Sequence, residues 1–403
     1  MTKLKAIFKI LAYILLAFIL FINLSAPFRG SSTFFVTTIY YLTAICSLLY
    51  VAYLLKQKVY AFTLVAVSLF VGLYIAEVFL RYVWKYPVTY SEKQWGEYKT
   101  MYDSPDNKVF FLERILNSPI NYHTNVMQPN MKCGSKTIEF VFDEEYTNSL
   151  GMRGKLPKVD KKVVCTLGDS FTESFGAPAD STYPKLLGNL LSSYDSNIAV
   201  LNAGISGSDP FFEFMLLKDL KKTYNFTDAL FMVNGSDITD VISRGGTERF
   251  VANGDLQFRK APWWEPMYAI SYVFRLVMHN LAGIGFNLMT TEQQKQEESK
   301  AILLIKNHFA DDILPWAKQN NVRIYVVLQP MKASAMKRDN NYEQIHRQLS
   351  AIKEINFLDL QPALHRTPNI ESYFWKIDGH FKSRGYKLTA ELVFDSFLKR
   401  DHN

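Results

Sequence analysis

From residue 162 onward, short apolar segments alternate with segments of helical periodicity, and this alternation constrains the fold more than any other feature. Single apolar strands that alternate with helices are typical of a mostly parallel sheet with helices on both faces. We therefore predict an α/β fold of three layers, α/β/α. The strands are predicted at residues 163–167, 198–203, 229–233, 322–328 and 356–360, and the helices at 184–193, 211–222, 292–318, 342–353 and 382–398.

The first predicted strand runs directly into a turn that carries a serine. Gly168, Asp169 and Ser170 interrupt the apolar run, and a helical pattern follows. Ser170 therefore lies beyond the carboxyl end of a strand and near a helix N-terminus, where free backbone N–H groups favour an anion. A serine in this position can act as a nucleophile whose oxyanion its own N–H helps to stabilise. The same serine suits the plain structural role of a helix N-cap equally well.

The loops after the second and third predicted strands carry candidate oxyanion donors. Gly207 ends the segment Asn202-Ala203-Gly204-Ile205-Ser206-Gly207, and a glycine lets a backbone N–H approach a developing negative charge. The structural alternative is a glycine-rich turn. Asn234 and Ser236 follow the third strand two residues apart, which puts both side chains on one face of an extended chain.

The segment Asp378-Gly379-His380 lies just before the last predicted helix. An imidazole here can return to Ser170 as a general base, and a carboxylate two residues earlier can hydrogen-bond the other ring nitrogen. The intervening glycine permits this tight geometry. The other six histidines have no comparable setting and are interpreted as structural; they are His123, His279, His308, His346, His365 and His402.

These motifs, taken in order along the chain, resemble the four blocks of the SGNH/GDSL hydrolases. The resemblance covers about residues 148–398 and starts from Gly168-Asp169-Ser170-Phe171-Thr172. It implies a flavodoxin-like fold in which Ser170 is the nucleophile, His380 the base and Asp378 the acid that orients it. It also implies that the N–H groups of Ser170 and Gly207 form the oxyanion hole, with no metal and no cofactor.

Two blocks depart from the usual family pattern. The third block is usually Gly-x-Asn-Asp, and Ser236 stands where the asparagine is expected, so the third oxyanion donor is either Asn234 or Ser236. The last block has one residue between the acid and the histidine instead of two. This spacing is similar to a membrane-anchored branch of polysaccharide O-acetylesterases and O-acetyltransferases, including alginate-acetylation proteins.

Three long apolar runs precede the α/β region, and each approaches the roughly 20 residues that a bilayer-spanning helix needs. We predict a membrane domain at residues 1–84 with three transmembrane helices at about 7–26, 34–55 and 60–80. Positive charge concentrates before the first run and between the second and third, which predicts an inside N-terminus and an outside C-terminal region. The lysines concerned are Lys3, Lys5, Lys9, Lys56 and Lys58.

The rest of the chain is then expected to lie on the periplasmic side of the cytoplasmic membrane. Residues 85–161 are predicted to be an N-terminal extension, followed by a hydrolase-like domain at 162–403 with an insertion at about 241–299. An oxidising location permits a Cys133–Cys165 disulfide, but the position of Cys165 within a strand favours a buried free thiol. Glu77, near the end of the third run, is expected to reach lipid headgroups or a neighbouring helix, the alternative being a polar pathway.

The sequence thus predicts a membrane-anchored serine esterase acting on acyl esters, with O-acetyl groups of an envelope or exported glycan as the expected substrate. An O-acetyltransferase with the same triad and a membrane acyl-transfer partner is the first alternative. The second is a non-catalytic scaffold of a polysaccharide-export complex. The chain of 403 residues has a formal net charge of +7 and no run of five basic residues, so a nucleic-acid partner is not expected.

Overall fold

A computed structural model of the chain contains two compact units, residues 1–120 with 260–292 and residues 121–259 with 293–403. The predicted insertion contributes residues to both units. The structure describes residues 33–55, 60–84, 132–133, 139–140, 145–244, 246–249, 264, 271–284, 289–337 and 339–398.

The strands lie in the second unit and include every strand predicted from the sequence. They are β1 (Lys132–Cys133), β2 (Glu145–Tyr146), β3 (Lys162–Gly168), β4 (Ile198–Gly204), β5 (Phe226–Val233), β6 (Arg323–Leu328) and β7 (Asn356–Asp359). β1 and β2 form an antiparallel pair, and the other five form a parallel sheet in the order β4-β3-β5-β6-β7. The predicted parallel α/β sheet is confirmed. Because β3 lies between β4 and β5, the strand order reverses there, and sheets of this kind bind ligands at that point.

The helices occupy most of the segments between the strands. They are α1 (Thr33–Leu55), α2 (Tyr60–Val78), α3 (Ser170–Glu173), α4 (Tyr183–Tyr194), α5 (Pro210–Lys221), α6 (Gly235–Arg244), α7 (Tyr272–Asn280), α8 (Thr291–Asn307), α9 (Leu314–Gln319), α10 (Lys332–Met336), α11 (Asn340–Ser350), α12 (Gln361–Arg366) and α13 (Ser383–Val393). Short π-helical turns cover Phe79–Val83, His308–Ile313 and Phe394–Leu398, and 3-10 turns cover Ala179–Ser181, Gly246–Arg249 and Ile370–Tyr373.

The side chains of each strand point alternately to the two faces of the parallel sheet, and apolar side chains lie on both faces. Helices therefore cover both faces of the sheet. Val164, Leu230 and Val327 belong to one buried cluster, together with side chains of α4 and α13. On the opposite face, the ring of Phe231 lies 5.3 Å from that of Phe309, and α5 packs against β3 and β5. This packing holds the carboxyl ends of β3, β4 and β5 together at one edge of the sheet.

The helical segment predicted at 292–318 is not one continuous α-helix. α8 ends at Asn307, a π-helical turn follows, and α9 begins at Leu314. Pro315 explains the change, because it has no N–H to donate and its ring clashes with the carbonyl four residues earlier in an α-helix. The wider turn lets Leu314 N–H bond to the carbonyl of Phe309 instead.

Cys165 is completely buried in β3 and its thiol is free. The Cys133–Cys165 disulfide is therefore not formed. Burial, together with the charge of Glu213, raises the pKa of this thiol well above its ordinary value. It behaves as a small apolar residue of the core.

The first unit contains α1, α2 and α7, with α1 packed against α2 and α2 against α7. The buried carboxylate of Glu77 accepts hydrogen bonds from the hydroxyl of Ser271 and from the N–H groups of Tyr272 and Val273, the latter two at 2.8 and 3.2 Å. Glu77 thus caps the N-terminus of a neighbouring helix, where free N–H groups favour a negative charge.

α1 and α2 coincide with the second and third predicted transmembrane segments. In the described part of the chain, no helix combines the length and the apolar character that crossing a bilayer requires. The described residues therefore do not support the expected transmembrane helices. The first predicted segment, at about 7–26, lies outside these residues.

Candidate active site

The turn after β3 presents Ser170 at the start of the one-turn helix α3. Asp169 is the N-cap of this helix, and its Oδ1 accepts the N–H of Phe171 at 2.9 Å. Gly168 has a φ of +150°, and a Cβ at this position would lie 2.1 Å from Oγ1 of Thr172. The sequence Gly-Asp-Ser therefore has a local reason: the glycine allows close packing and the aspartate begins the helix.

The predicted nucleophile, base and acid meet in the second unit. Nε2 of His380 lies 2.7 Å from Oγ of Ser170, and Nδ1 of His380 lies 2.6 Å from Oδ1 of Asp378. Because an ionised carboxylate can only accept, Nδ1 of the ring carries the proton and Nε2 is left to accept the serine proton. This is the Ser-His-Asp arrangement by which serine hydrolases act on ester bonds.

A tight turn holds Asp378 and His380 in register. Gly379 has a φ of +84°, and this conformation lets the carboxylate of Asp378 accept both the backbone N–H of His380, at 3.1 Å, and its ring Nδ1–H. An antiparallel bridge between Phe374 and Phe381 closes the base of the turn. The predicted role of the glycine is therefore confirmed in its geometry.

The charges around the imidazole favour its protonated form. Burial by itself lowers the pKa of His380, but the hydrogen bond and charge of Asp378, with the charges of Asp169 and Glu173, raise that pKa above its ordinary value. The rings of Phe171 and Phe175 lie 4.8 and 5.1 Å from the imidazole and limit its rotation. A base of this kind is strong and well oriented.

Gly207 lies in a turn that is tied to the segment carrying the nucleophile. The N–H of Ile205 and the hydroxyl of Ser208 both donate to the carbonyl oxygen of Gly168, each at 2.9 Å. The N–H of Ser206 donates to the carboxylate of Glu173 at 2.9 Å, and its hydroxyl bonds to the same carboxylate. The turn around Gly207, whose φ is +73°, is therefore held beside Ser170, as the oxyanion prediction requires.

Asn234 and Ser236 are brought to the same edge, but both bond to Asp169. Nδ2 of Asn234 lies 2.9 Å from Oδ2 of Asp169, and Oγ of Ser236 lies 2.8 Å from the same oxygen and 2.5 Å from Oδ1 of Asn234. The hydroxyl of Ser236 has a single proton, so it donates a hydrogen bond to only one of these two oxygens. Asn234 has a second amide proton and is the better candidate for an additional oxyanion donor.

Two residues that the sequence analysis did not assign to the site hold its framework. Glu173 anchors the turn of Gly207 through Ser206. The guanidinium of Arg153, which is buried, donates to the carbonyl oxygens of Ser174 and Ala177 at 2.9 and 2.8 Å. The only sequence signal for these residues is their proximity to motifs, because a hydrogen bond to a distant backbone atom leaves no periodic pattern.

Several solved structures are similar to part of this chain, whereas no family model and no curated protein matches it. A two-domain esterase, CEX, active on acetylated mannans is 12% identical with a TM-score of 0.35, over 61% of this chain and 51% of its own. This chain thus spans about half the length of that esterase. A member of the lipolytic G-D-S-L family from Veillonella parvula is 14% identical with a TM-score of 0.34, over 59% and 99% of the two chains. The lipase Lip_vut3 from a goat rumen metagenome is 11% identical with a TM-score of 0.39, over 59% and 98%.

Proposed function

We propose that this protein is a serine esterase of the SGNH type that removes acyl groups, with O-acetyl groups of an envelope or exported glycan as its substrate. The observation that supports this most directly is the continuous path from Oγ of Ser170 through His380 to Asp378, with steps of 2.7 and 2.6 Å. An alcohol beside a neutral ring nitrogen whose partner nitrogen is fixed by a carboxylate is what nucleophilic acyl transfer requires.

The first half of the reaction transfers the acyl group to the enzyme. Oγ of Ser170 attacks the carbonyl carbon, its proton passes to Nε2 of His380, and the carbonyl π electrons move to oxygen. The N–H groups of Ser170 and Gly207, with the second amide proton of Asn234, stabilise this oxyanion, and removal of one donor costs about 3–4 kcal/mol in such sites. When the carbonyl re-forms, the ester C–O bond breaks and His380 protonates the departing alcohol.

The second half of the reaction resolves the acyl-enzyme. Water gives a proton to His380 and attacks the acyl carbon, and the proton then returns to Oγ of Ser170 as free acid is released. If a sugar hydroxyl replaces water, the same steps move the acyl group to a glycan. This second candidate, an O-acetyltransferase, uses the same residues but needs an acyl donor on the periplasmic side of the cytoplasmic membrane and hence a membrane acyl-transfer partner.

Covalent labelling by a fluorophosphonate tests the nucleophile directly. We expect labelling of the wild type and hydrolysis of p-nitrophenyl acetate, with both lost in Ser170→Ala and His380→Ala. Ser193→Ala is the matched control, because Ser193 is exposed on α4 and should leave both signals unchanged. Absence of labelling and of turnover in the wild type would contradict the esterase and leave the non-catalytic scaffold.

The glycan substrate rests on the resemblance of the Asp378-Gly379-His380 block to the polysaccharide-modifying branch. Incubation of the protein with a ¹³C-acetyl donor and sugar oligomers, followed by NMR, separates the two enzymatic candidates. Free acetate supports the esterase. Acetate found on the sugar would contradict the esterase and support the transferase.

The proposed location is the cytoplasmic membrane, with the N-terminus inside and the triad on the periplasmic side. The support is the pattern of apolar runs and lysines in the first 84 residues. Membrane fractionation, with protease treatment of spheroplasts, tests it. Recovery in the membrane with cleavage from outside is expected, and full protection or recovery in the soluble fraction would overturn the location without affecting the triad.

A further inference from the structure

The turn that carries the acid and the base is held by a carboxylate from the predicted N-terminal extension. Three successive N–H groups, those of Lys376, Ile377 and Asp378, donate to the carboxylate of Glu139 at 2.8, 2.8 and 2.9 Å. Successive backbone N–H groups that converge in this way form a site for an anion. The last of the three belongs to the acid of the triad itself.

Aromatic packing places Glu139 at this turn. The next residue, Phe140, is buried, and its ring lies 4.5 Å from that of Trp375 and 5.8 Å from that of Phe175. Trp375 in turn donates from Nε1 to the carbonyl of Gly176 at 2.8 Å. The segment with Glu139 therefore packs against both sides of the site, since Phe175 follows the nucleophile and Trp375 precedes the acid.

A lysine binds the backbone carbonyl groups of the same turn. Nζ of Lys332 donates to the carbonyl oxygens of Trp375 and Lys376 at 3.2 and 2.7 Å. A carboxylate thus takes the N–H groups of the turn while an ammonium takes its carbonyl groups. Both ends of the peptide dipoles are restrained, and charged partners make stronger hydrogen bonds than neutral ones.

We propose that Glu139 is a positioning residue of the active site, which fixes the backbone of residues 376–378 so that the carboxylate of Asp378 meets the ring of His380. Residues 139 and 140, which belong to the predicted extension, then help to position the acid of the triad. This inference rests on the proposed function for its kinetic consequences. The structural part of the inference, that Glu139 fixes the position of Asp378, does not depend on the reaction.

Kinetics of Glu139→Gln measure the consequence for catalysis. The amide keeps the shape of the side chain but turns an N–H₂ group towards backbone donors. A displacement of about 1 Å in a catalytic group can cost about 100-fold in rate, so we expect kcat for p-nitrophenyl acetate to fall about 10- to 100-fold. KM should change by less than about twofold, because Glu139 lies behind the acid.

Titration of His380 by NMR of ¹³C-labelled histidine tests whether Glu139 fixes the position of Asp378, and it needs no turnover. The charged groups that act on this imidazole are Asp378 from its own turn, and Asp169 and Glu173 from the turn and helix of the nucleophile. Only Asp378 depends on Glu139, so its displacement should lower the midpoint of the His380 titration. Glu139→Asp keeps the charge on a shorter side chain, and a lowered midpoint there cannot come from lost charge.

Glu371→Gln is the matched control, because Glu371 is an exposed carboxylate on the 3-10 turn just before the same loop. It should retain the wild-type kcat and titration.

Wild-type kcat and an unmoved His380 midpoint in Glu139→Gln, with the fold verified by thermal unfolding, would overturn the inference. If Glu139→Gln does not fold, Glu139→Asp is judged by the same two measurements. If the wild type itself lacks labelling and turnover, the proposed function fails, and the His380 midpoint alone still decides the inference.

Discussion

The side-chain amide of Asn234 donates to the carboxylate of Asp169 across 2.9 Å and so links the loops that follow two neighbouring strands. The same carboxylate oxygen is 2.8 Å from Oγ of Ser236, while the other oxygen caps α3 through Phe171. Asp169 is therefore a junction between the nucleophile's helix and the loop after β5. Both side chains that were candidates for the third oxyanion donor are bonded to it.

Asn234→Ala and Ser236→Ala separate the framework role from an oxyanion role. Asn234 is completely buried, and its loss leaves the buried carboxylate of Asp169 short of a donor, so we expect the free energy of unfolding to fall by about 1–3 kcal/mol. Ser236→Ala should cost about 1 kcal/mol and less than about tenfold in kcat. Urea denaturation and steady-state kinetics measure both. A fall of 100-fold or more in kcat for Ser236→Ala, at unchanged stability, would instead make its hydroxyl the third donor.

The pH dependence of kcat/KM should report the state of His380. The imidazole accepts the serine proton only when it is neutral, so activity is low below its pKa and rises as the pH passes through it. Asp378 and the other negative charges raise that pKa, which puts the midpoint above the ordinary value of 6.5. Asp378→Asn removes the charge and the correct tautomer, so the midpoint should move down and kcat should fall about 10⁴-fold. A midpoint that does not move would contradict the assigned partner.

Glu173→Gln should affect both the base and the oxyanion turn. Its carboxylate raises the pKa of His380 and holds Ser206 beside Gly207. We expect the midpoint of the pH profile to move down and kcat to fall about three- to tenfold, which corresponds to about 0.7–1.4 kcal/mol, the net contribution of one ordinary hydrogen bond. Glu354→Gln, which changes an exposed carboxylate paired with Lys318, is the control and should leave the profile unchanged.

Arg153→Ala should destabilise the fold around the nucleophile. The buried guanidinium donates to the carbonyl oxygens of Ser174 and Ala177, and its removal takes this charged donor from both. The oxygen of Ser174 keeps a longer hydrogen bond, at 3.3 Å, from the N–H of Ala177. We expect a loss of about 2–4 kcal/mol in urea denaturation, with only partial recovery in Arg153→Lys, because an ammonium lacks the planar fork. Arg347→Ala, on the exposed side of α11, should stay within about 0.5 kcal/mol of the wild type.

Gly204→Ala should disturb the contact between β4 and α3. A Cβ at this position would lie 2.1 Å from the backbone nitrogen of Glu173 and 2.5 Å from the carbonyl carbon of Thr172, and backbone atoms cannot yield as a flexible side chain does. We expect a loss of about 3 kcal/mol or more. In Gly188→Ala the nearest atom would be 3.5 Å away, so this helical site should instead gain about 0.5–1 kcal/mol. Equal effects in thermal unfolding would contradict the close packing.

Local elements were predictable because their causes lie within a few residues. Short, nearly continuous apolar runs locate the five parallel strands, and Gly379 between Asp378 and His380 already implies their hydrogen bond. The break between α8 and α9 was missed, although its cause, Pro315, is local too. The bonds of Asn234 and Ser236 to Asp169 were not predictable, because an amide or hydroxyl has several acceptors within reach and only the folded positions select one.

The sequence by itself determined the order of strands and helices, the sharp turn at Ser170 and the paired acid and imidazole, since each depends on neighbours along the chain. Only the tertiary structure decided that Ser170 and His380, 210 positions apart, lie in contact, and that Glu139 binds the turn before the base. The physical reason is that a hydrogen bond is lost within an ångström or so of displacement. Strand register and side-chain packing set positions to that accuracy, and they are properties of the whole fold.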